Sequence, residues 1–538
     1  MYFTVSQRAL RTFVVRLFLG LCLVAAAEPI QAREKTVIDL GGETFLFIDE
    51  WGIDRLEGAQ LTVHPPRVGG TVFRNEKPWE QIEAYTTVID DGSGLYKLYY
   101  LNNITGPLTI QRADEELLVR EDGGDVWQYC VATSRDGVHW ERPNLGRIEW
   151  DGSKANNICF QYMHGGSAFY DPHDPDPSKR YKFFCAPRGY PRPLSLPAYL
   201  YTSADGLHWS EGTPVMRFII DSQPVLQFDH NIGKYVAYLR SHLGGRHVVR
   251  AVTEAPSKPW PYKSNRNPTR ADLIREEAIF PGQEYPVVMA ADATDPPLTD
   301  IYNSQVFIYP WAHRVYLAFP TVFYKHAGPR AFLSQGLPGA GAGEVQLAVS
   351  RDGINWKRYR RPAYLKSGRY QDRYSYWSWI FQGMIRRPDR IYQYGILRPY
   401  GHSETQFVDD AIDTVTPKDP AKRDFILLEQ GVDRFVAVRF DYTGGRLLTD
   451  PIIFQGNRLI LNVNTSAAGH GRVGIVQADA SPLPGFTADE CELINGDWLA
   501  KTVAWSSTAD VGSLAGQTVR LEFRLRGSDL FGFRFVTK

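Results

Sequence analysis

The sequence predicts an all-β protein, with a five-bladed β-propeller followed by a small C-terminal β-sandwich. Three observations support this prediction: a turn motif that repeats, a tyrosine-rich strand that repeats, and a near absence of helix signals. Internal repetition is typical of propellers and solenoids. A unit of four antiparallel strands that occurs five times indicates a propeller with five blades. An array of β-sandwiches is the alternative, but it does not require the same strand and turn in every unit.

The repeated turn has the form Ser-x-Asp-Gly-x-x-Trp and lies at residues 134–140, 203–209 and 350–356. Each copy follows an alternating segment, so it predicts a β-hairpin turn in which Asp caps backbone amides and Gly takes a positive φ. The Trp is expected to open the next strand and to pack between neighbouring sheets. We therefore interpret these Asp residues as structural and expect them on the face away from the chemistry.

The second signal is a short loop followed by an alternating strand rich in tyrosine. It occurs at residues 94–100, 180–184, 233–238, 314–319 and 390–394. The first, second and fourth copies are followed by the full turn motif. After the third copy the turn is degenerate but still contains Trp260. The fifth copy ends in a degenerate form of the turn at residues 431–435.

The predicted domain limits are residues 1–32 for a signal peptide, 33–432 for the propeller and 433–538 for the sandwich. After about Asp433 the sequence consists of alternating strands joined by glycine-rich turns, which is typical of a small sandwich. Those strands contain no cluster of His, Asp or Glu. We expect the sandwich to pack against the propeller.

The composition limits the partners and the compartment. The chain of 538 residues has 60 Lys plus Arg and 60 Asp plus Glu, and this zero net charge argues against a nucleic-acid partner. Three arginines precede the apolar run 17–27, which together indicate a signal peptide and a secreted or periplasmic protein without membrane insertion after cleavage. The four cysteines beyond residue 32 lack metal-binding spacing, so no metal or cofactor is expected; Cys159 and Cys185 either pair or remain free thiols.

Five such units, an export signal and a C-terminal sandwich resemble the propeller glycoside hydrolases of families 32 and 43 and their relatives. The resemblance covers nearly all of the mature chain at the level of architecture. Asp171-Pro172 is the nearest match to the Arg-Asp-Pro motif of these families. The resemblance implies a carbohydrate substrate, a poly- or oligosaccharide, and a pair of catalytic carboxylates.

The predicted catalytic residues lie where the innermost strands begin, around the mouth of the central channel. Glycoside cleavage needs one carboxylic acid to protonate the leaving oxygen and one carboxylate to act as base or nucleophile. Carboxylates arrive there from three blades, and the candidates are Glu80, Glu83, Asp221 and Asp300. The alternative for each of them is an ordinary solvated or ion-paired side chain.

The predicted substrate-binding residues are cations that follow the second strands and polar or aromatic residues at the same mouth. They are Trp79, His164, Arg188, Arg240, Tyr302, Asn303, Trp377, Arg398, His402 and Glu404. Arginine presents a planar fork suited to carboxylate or sulfate, so a concentration of cations predicts an acidic glycan. The alternatives are counter-ions for the acidic residues and, for the aromatic rings, packing between blades.

Two rival functions remain open from the sequence. A sugar-binding propeller without catalysis is favoured because the sequence has no clear Arg-Asp-Pro motif of these hydrolase families. A sialidase-like enzyme is suggested by the Asp-Gly turn, but it requires six blades and a tyrosine nucleophile beside an arginine cluster.

Overall fold

Strands dominate the part of the chain that the computed structural model describes, which is residues 37–105, 109–111, 117–119, 125–187, 198–216, 220, 222–241, 245–261, 284–325, 341–370, 373–402, 406–409, 414–417, 424–506 and 508–538. Within these ranges the helices are two short 3-10 turns, Pro177–Lys179 and Gly512–Leu514. The all-β prediction is therefore confirmed. The predicted signal peptide lies outside the described residues.

Four antiparallel sheets of four strands, and four antiparallel strands within an eight-stranded sheet, follow one another along the chain, and we number them blades 1 to 5. Blades 1 and 2 contain Thr87–Ile89, Tyr96–Thr105, Asp125–Ser134 and Ile158–Gln161, then Met163–Tyr170, Tyr181–Pro187, Ala198–Ser203 and Thr213–Met216. Blades 3 and 4 contain Val225–Asp229, Lys234–Ser241, His247–Thr253 and Val287–Met289, then Val306–Tyr309, Val315–Ala318, Leu347–Ser350 and Lys357–Tyr359. Blade 5 contains Trp377–Ile380, Arg390–Arg398, Phe425–Gly431 and Arg67–Phe73.

Blade 5 is completed from the other end of the chain. Its outermost strand, Arg67–Phe73, precedes blade 1 in sequence and pairs with Phe425–Gly431. Ile385–Arg386 also pairs within this blade. An N-terminal strand in the last sheet ties the two ends of the ring together.

The first strands of the blades surround a common channel. They contact one another in order from blade 1 to blade 4. Blade 5 returns to blade 1 because the Val88 amide donates to the Gln382 carbonyl over 2.8 Å. The Gln382 side chain in turn donates to the Val306 carbonyl of blade 4 over 2.7 Å. This closed order of first strands is the architecture of a propeller.

The repeated turn and the repeated tyrosine strand meet between blades. Tyr99 of blade 1 donates its hydroxyl to the Gly206 carbonyl of the blade 2 turn over 2.6 Å. Tyr238 of blade 3 donates to the Gly353 carbonyl of blade 4 over 2.9 Å. Tyr394 of blade 5 closes the same bond to the turn of blade 1 over 2.7 Å. Each of these tyrosines also packs edge-on against the turn tryptophan, with ring centroids 5.7, 6.1 and 5.7 Å apart.

Blades 2 and 4 carry phenylalanine where these tyrosines stand. The register places Phe184 and Phe319 three residues after Tyr181 and Tyr316, which pair with the last residue of the third strand as Tyr96 does. The blades that follow them, 3 and 5, lack the full Asp-Gly turn in sequence. The hydroxyl is therefore present where the next blade offers a turn carbonyl and absent where it does not.

The Asp-Gly turns have the predicted geometry. Asp136 accepts hydrogen bonds from the amides of Val138 and His139, both at 2.8 Å, and Gly137 has a φ of 79°. A side chain at Gly206 would place its Cβ 2.6 Å from the Tyr99 hydroxyl, so close approach requires glycine as well. The turns join third to fourth strands at the end of the blades where the first strands finish, which is the end away from Glu83 and Asp300.

A second contact between blades repeats at the ends of the first strands. Tyr235 donates to Asp171 over 2.7 Å, Tyr316 donates to Asp229 over 2.9 Å, and Tyr181 donates to Asp91. Each acceptor belongs to the preceding blade. Asp171 is fully buried and also binds Lys182 at 3.0 Å. The Asp171-Pro172 pair therefore belongs to a contact between blades.

The remaining strands form two six-stranded sheets that enclose a core of their own. One contains Ile38–Gly41, Ile452–Phe454, Val519–Arg526, Gly445–Thr449, Ile53–Glu57 and His470–Gln477. The other contains Ala59–Val63, Val436–Phe440, Ser528–Val536, Arg458–Asn464, Asp497–Thr502 and Phe45–Leu46. Both draw on residues 38–63, a feature that the sequence did not indicate. The predicted limit between residues 432 and 433 stays a prediction.

Short two-stranded sheets account for six other strands. They are Thr109–Gln111 with Leu117–Val119, Gly368–Tyr370 with Arg373–Ser375, and Gln406–Asp409 with Thr414–Pro417. Cys130, Cys159, Cys185 and Cys491 are buried free thiols, so the possible pair of Cys159 and Cys185 is not formed. No helix in the described ranges has the length and apolar character to cross a membrane.

We predict that removing one hydroxyl between blades lowers stability. Tyr99→Phe, Tyr238→Phe and Tyr394→Phe should each cost about 1 kcal/mol, because a buried turn carbonyl loses its donor. The measurement is the midpoint of urea unfolding followed by tryptophan fluorescence. Phe319→Tyr is the reverse substitution. It should also destabilise the protein, because the added hydroxyl finds no turn carbonyl in the next blade. Unchanged midpoints for all three Tyr→Phe variants would contradict this account.

Candidate active site

The first strands run in the same direction, so their starts meet at one end of the channel, which we call the mouth. Each blade brings a residue there from the start of its first strand or from the segment just before it. In blade order these residues are Glu83, His164, Ser222, Asn303 and Trp377. Convergence of five blades at one end explains how residues far apart in sequence become neighbours.

Four buried rings form an aromatic floor beneath the mouth: Tyr85, Tyr302, Trp377 and Trp379. Tyr302 packs edge-on against both tryptophans, with centroids 5.1 and 5.3 Å away. Tyr85 contacts Trp379 at 5.1 Å. Trp377 is only 2% exposed, and a Cβ at Gly343 would lie 2.8 Å from its ring. Its position therefore indicates packing, which was the alternative to the predicted stacking on sugar.

The floor extends to His164, one of the two histidines predicted to bind substrate. His164 of blade 2 contacts Tyr85 at 5.3 Å and Trp127 at 4.6 Å, both edge-on. His164 and Trp127 are half-buried, so both rings reach the mouth from above the floor. Tyr85 and Trp127 were not among the predicted site residues.

Glu83 meets Arg398 at the mouth, which joins blade 1 to blade 5. Their side chains form an ion pair and are 13% and 16% exposed. The Glu83 amide donates to the Leu101 carbonyl over 2.8 Å, which fixes the position of its backbone. Arg398 ends the second strand of blade 5 and pairs in register with Trp377. This ion pair therefore lies at the edge of the aromatic floor.

Asp300 lies on an extension of three strands that joins the sheet of blade 5. Its strand Thr299–Ile301 pairs with Thr321–Lys325, which pairs with Gly341–Val345. Gly343 pairs in turn with Trp377 of blade 5. The extension thus places Asp300 beside the rings that also adjoin Arg398.

Two cations and one amide hold the Asp300 carboxylate. Lys325 approaches Oδ2 to 2.8 Å, and the Arg246 amide donates to Oδ1 over 3.1 Å. The Arg246 guanidinium lies 3.9 Å from Oδ2. One carboxylate therefore faces two positive charges, whereas Glu83 and Arg398 balance each other.

Arg246 also covers the aromatic floor. Its guanidinium lies 4.5 Å from the centroid of Tyr302, within the range of a cation–π contact. Its Nη1 is buried and has no hydrogen-bond partner among the described residues. On the neighbouring side, His402 Nε2 lies 3.2 Å from the Tyr302 hydroxyl. A donor of Arg246 is thus held in place without an acceptor.

The next residue, His247, is buried behind Asp300. Burial lowers the pKa of His247 below its ordinary value, although the Gly245 carbonyl and the charge of Asp300 act in the opposite direction. Its Nδ1 lies 3.0 Å from that carbonyl. The lowered pKa favours a neutral imidazole, so His247 adds no charge to the surplus at Asp300.

Two residues at the mouth have backbone conformations that side chains rarely adopt. Tyr85 has a φ of 68° and Ser222 a φ of 62°. A Cβ at Gly165 would lie 2.0 Å from the Ser222 carbonyl, so the blades approach closely here. Such conformations cost on the order of 1–3 kcal/mol and cluster at functional sites.

Arg240 reaches the mouth from the second strand of blade 3. Its Nη1 donates to the Ser222 hydroxyl over 2.7 Å, and the residue is 9% exposed. Asn303 is buried, and its Oδ1 accepts from the Thr321 amide over 2.7 Å, which is a structural contact. Asp221, Arg188 and Glu404 lie outside the described residues.

Glu80 does not share the surroundings of Glu83. Its side chain has no exposed surface and binds Arg142 at 2.6 Å. Tyr100 donates to it over 2.6 Å, and the Glu76 amide donates over 2.8 Å. Trp79 likewise donates to Asn157 over 2.8 Å, within blade 1. These contacts hold Glu80 and Trp79 within blade 1, and the catalytic and binding roles predicted for them stay predictions.

No group of three or more His, Cys, Asp or Glu side chains in the described ranges is arranged to hold a metal ion. The described side chains at the mouth are carboxylates, guanidinium and ammonium groups, and imidazoles.

We predict that Arg142→Ala destabilises the protein by about 3–5 kcal/mol, because it leaves the buried Glu80 carboxylate without its cation. The double variant Arg142→Met with Glu80→Gln should recover part of that loss, since the buried charge is then gone as well. Thermal unfolding of both variants measures the difference. Equal stability of wild type and Arg142→Ala would show that Glu80 does not depend on this pair.

No family model matches the chain. A curated protein from Mycobacterium tuberculosis, described as uncharacterized protein Rv1502, is 28% identical over 181 residues, which are 32% of this chain. The chain spans about half the length of that relative.

Solved structures with a similar strand arrangement include glycoside hydrolases. A family 43 arabinoxylan arabinofuranohydrolase from Bacillus subtilis is 11% identical, with a TM-score of 0.35, over 87% of this chain and 99% of that one. A glycosyl hydrolase from Bacteroides ovatus is 14% identical, with a TM-score of 0.36, over 72% and 96%. An N-acetylgalactosamine deacetylase from F. plautii is 13% identical, with a TM-score of 0.39, over 70% and 96%.

Proposed function

We propose that this protein is a glycoside hydrolase that cleaves a poly- or oligosaccharide at the mouth, with Glu83 and Asp300 as its carboxylate pair. The observation that supports this most is their placement: two carboxylates from different blades flank one aromatic floor. Glycosidases need two such groups on opposite sides of the scissile bond. Asp221 is a further candidate, since it adjoins Ser222 in sequence.

The surroundings of the two carboxylates suit an acid and base pair. Both are largely buried, and each is positioned by a cation, Arg398 for Glu83 and Lys325 for Asp300. A carboxylate fixed in this way is preorganised for proton transfer or for stabilising positive charge on the sugar ring. His164 and His402 adjoin the same floor and are suited to hydrogen-bond sugar hydroxyl groups.

We also propose that the substrate is acidic. Arg246 and Lys325 bring two positive charges to one carboxylate, and Arg246 retains a buried donor that has no partner among the described residues. Burying such a donor is costly unless a ligand pairs with it. A uronate or sulfate group would complete the pairing through forked hydrogen bonds.

Export is part of the proposal and rests on the sequence alone. Three arginines followed by the apolar run 17–27 predict a signal peptide, which suits an enzyme that meets glycans outside the cytoplasm. Secreted or periplasmic location follows from that prediction.

We expect Glu83→Gln and Asp300→Asn to lower kcat on the cleaved glycan by about 10²–10⁴-fold, because each removes a proton-transfer or charge-stabilising group while preserving shape. Glu344→Gln is the matched control. Glu344 is buried in the same sheet as Asp300 but binds Arg361 and Tyr324 instead. Its variant should retain activity. Full activity of both mouth variants would exclude these carboxylates as the catalytic pair.

We expect Arg246→Lys to weaken kcat/KM on acidic glycans by about tenfold or more, since an ammonium group cannot form the fork. Activity on a neutral glycan of the same linkage should change little. The measurement is hydrolysis of a matched pair of uronate-containing and neutral oligosaccharides. A preference of the wild type for the neutral member would contradict the acidic substrate.

One observation favours a second function, carbohydrate binding without cleavage. Both carboxylates are engaged in ion pairs, which suits a binding surface as well as a catalytic one. Under this function the wild-type protein binds acidic glycans and produces no reducing ends, and Glu83→Gln lowers affinity instead of turnover. The same variants therefore distinguish the two functions.

A further inference from the structure

The opposite end of the channel holds a cavity of ≈ 370 Å³, which we call the far pocket. The ends of all five first strands, or the residues just after them, contribute to its lining. Its volume falls within the roughly 300–1,000 Å³ usual for small-molecule sites. Neither of the functions proposed for the mouth uses this pocket.

Two stacked pairs of rings line the far pocket. His173 stacks on Phe228 with a centroid distance of 4.5 Å and an interplanar angle of 29°. Phe307 and Trp311 are stacked at 6.1 Å and 27°. All except His173 are partly buried, so each pair is backed by the protein and still borders the cavity.

Trp311 is held firmly in its orientation. The Arg386 guanidinium lies 5.1 Å from its ring centroid, and Tyr309 packs edge-on against it at 5.0 Å. Arg386 is itself fixed by Asp433 at 2.6 Å. An aromatic ring fixed from behind offers a preorganised surface to a ligand.

Two side chains of the far pocket, Gln382 and Asp90, offer acceptors. Gln382 lines it and is 4% exposed; its Nε2 donates to the Val306 carbonyl over 2.7 Å. Its Oε1 is buried with no hydrogen-bond partner among the described residues. Asp90 also lines the pocket, and burial raises the pKa of its carboxyl above the ordinary value. A ligand that satisfies these groups must bring hydrogen-bond donors.

The far pocket is separated from the mouth by a hub of buried amide side chains. Gln305 donates to the Gln223 side chain over 2.7 Å, and Gln223 donates to the Gly166 carbonyl over 3.0 Å. Gln223 also bonds to the Thr86 carbonyl over 3.2 Å. Because these groups fill the middle of the channel, a ligand in the far pocket does not reach Glu83 or Asp300.

We propose that the far pocket is a second carbohydrate site, which binds one neutral sugar unit independently of the mouth. Aromatic faces suit the apolar faces of a pyranose or furanose ring, and acceptors at Gln382 and Asp90 suit its hydroxyl groups. A purely apolar ligand would leave the buried Gln382 Oε1 without a donor, at a cost. The charge of Asp91, the other carboxylate there, is already balanced by Lys97 at 3.1 Å.

The test is titration of the purified protein with D-glucose, D-galactose, D-xylose and L-arabinose, with binding measured by saturation-transfer NMR. The Glu83→Gln variant is the host, so that turnover at the mouth does not interfere. Adding Trp311→Ala should weaken binding of the preferred sugar by about tenfold. Adding Asp90→Asn should also weaken it, and this second variant leaves the aromatic packing intact.

Trp498→Ala is the matched control, because Trp498 is 44% exposed and lies in the sandwich. It should leave affinity unchanged. The proposal is overturned if none of the four sugars binds, if both pocket variants bind as the host does, or if a primary amine such as cadaverine binds in their place. Loss of hydrolysis in the host bears only on the mouth, so the two proposals fail separately.

Discussion

The hydrogen bond from a strand tyrosine to a turn glycine of the next blade is the contact on which the arrangement depends. It links blade 1 to blade 2, blade 3 to blade 4 and blade 5 to blade 1. Each hydroxyl is buried and each acceptor is a backbone carbonyl, so the bond fixes the backbone of one blade relative to the next. The angle between blades then determines which residues meet at the mouth.

The same contact explains why the fold was predictable from the sequence. The turn glycine, the turn tryptophan and the strand tyrosine are three parts of one interaction, so they recur together. Where the next blade lacks the full turn, Phe184 or Phe319 occupies the position of the tyrosine. The closing strand Arg67–Phe73 was not predictable, because it carries neither signal and is defined only by the ring that it completes.

The site was less predictable because its residues do not repeat. Glu80 and Glu83 are three residues apart, yet one caps a turn and binds Arg142 while the other reaches the mouth. The Glu83 amide bonds to the Leu101 carbonyl, whereas the Glu80 side chain binds Arg142. No local sequence pattern indicates these long-range contacts. Tyr85 is a similar case, since its positive φ of 68° has no signature in the sequence.

Because the first strands are parallel, their starts meet at one end of the channel and their ends meet at the other. The two ends therefore carry different sets of side chains. The starts of these strands meet at the mouth, where Arg246 and Lys325 outnumber the carboxylate that they share. Their ends meet at the far pocket, where Asp90, Asp91 and the Gln382 side-chain Oε1 are acceptors. The amide hub between them consists of uncharged side chains that bond to backbone carbonyls and to each other. A channel built in this way keeps the cationic mouth and the acceptor-bearing far pocket apart, so each can be altered by mutation without rebuilding the other.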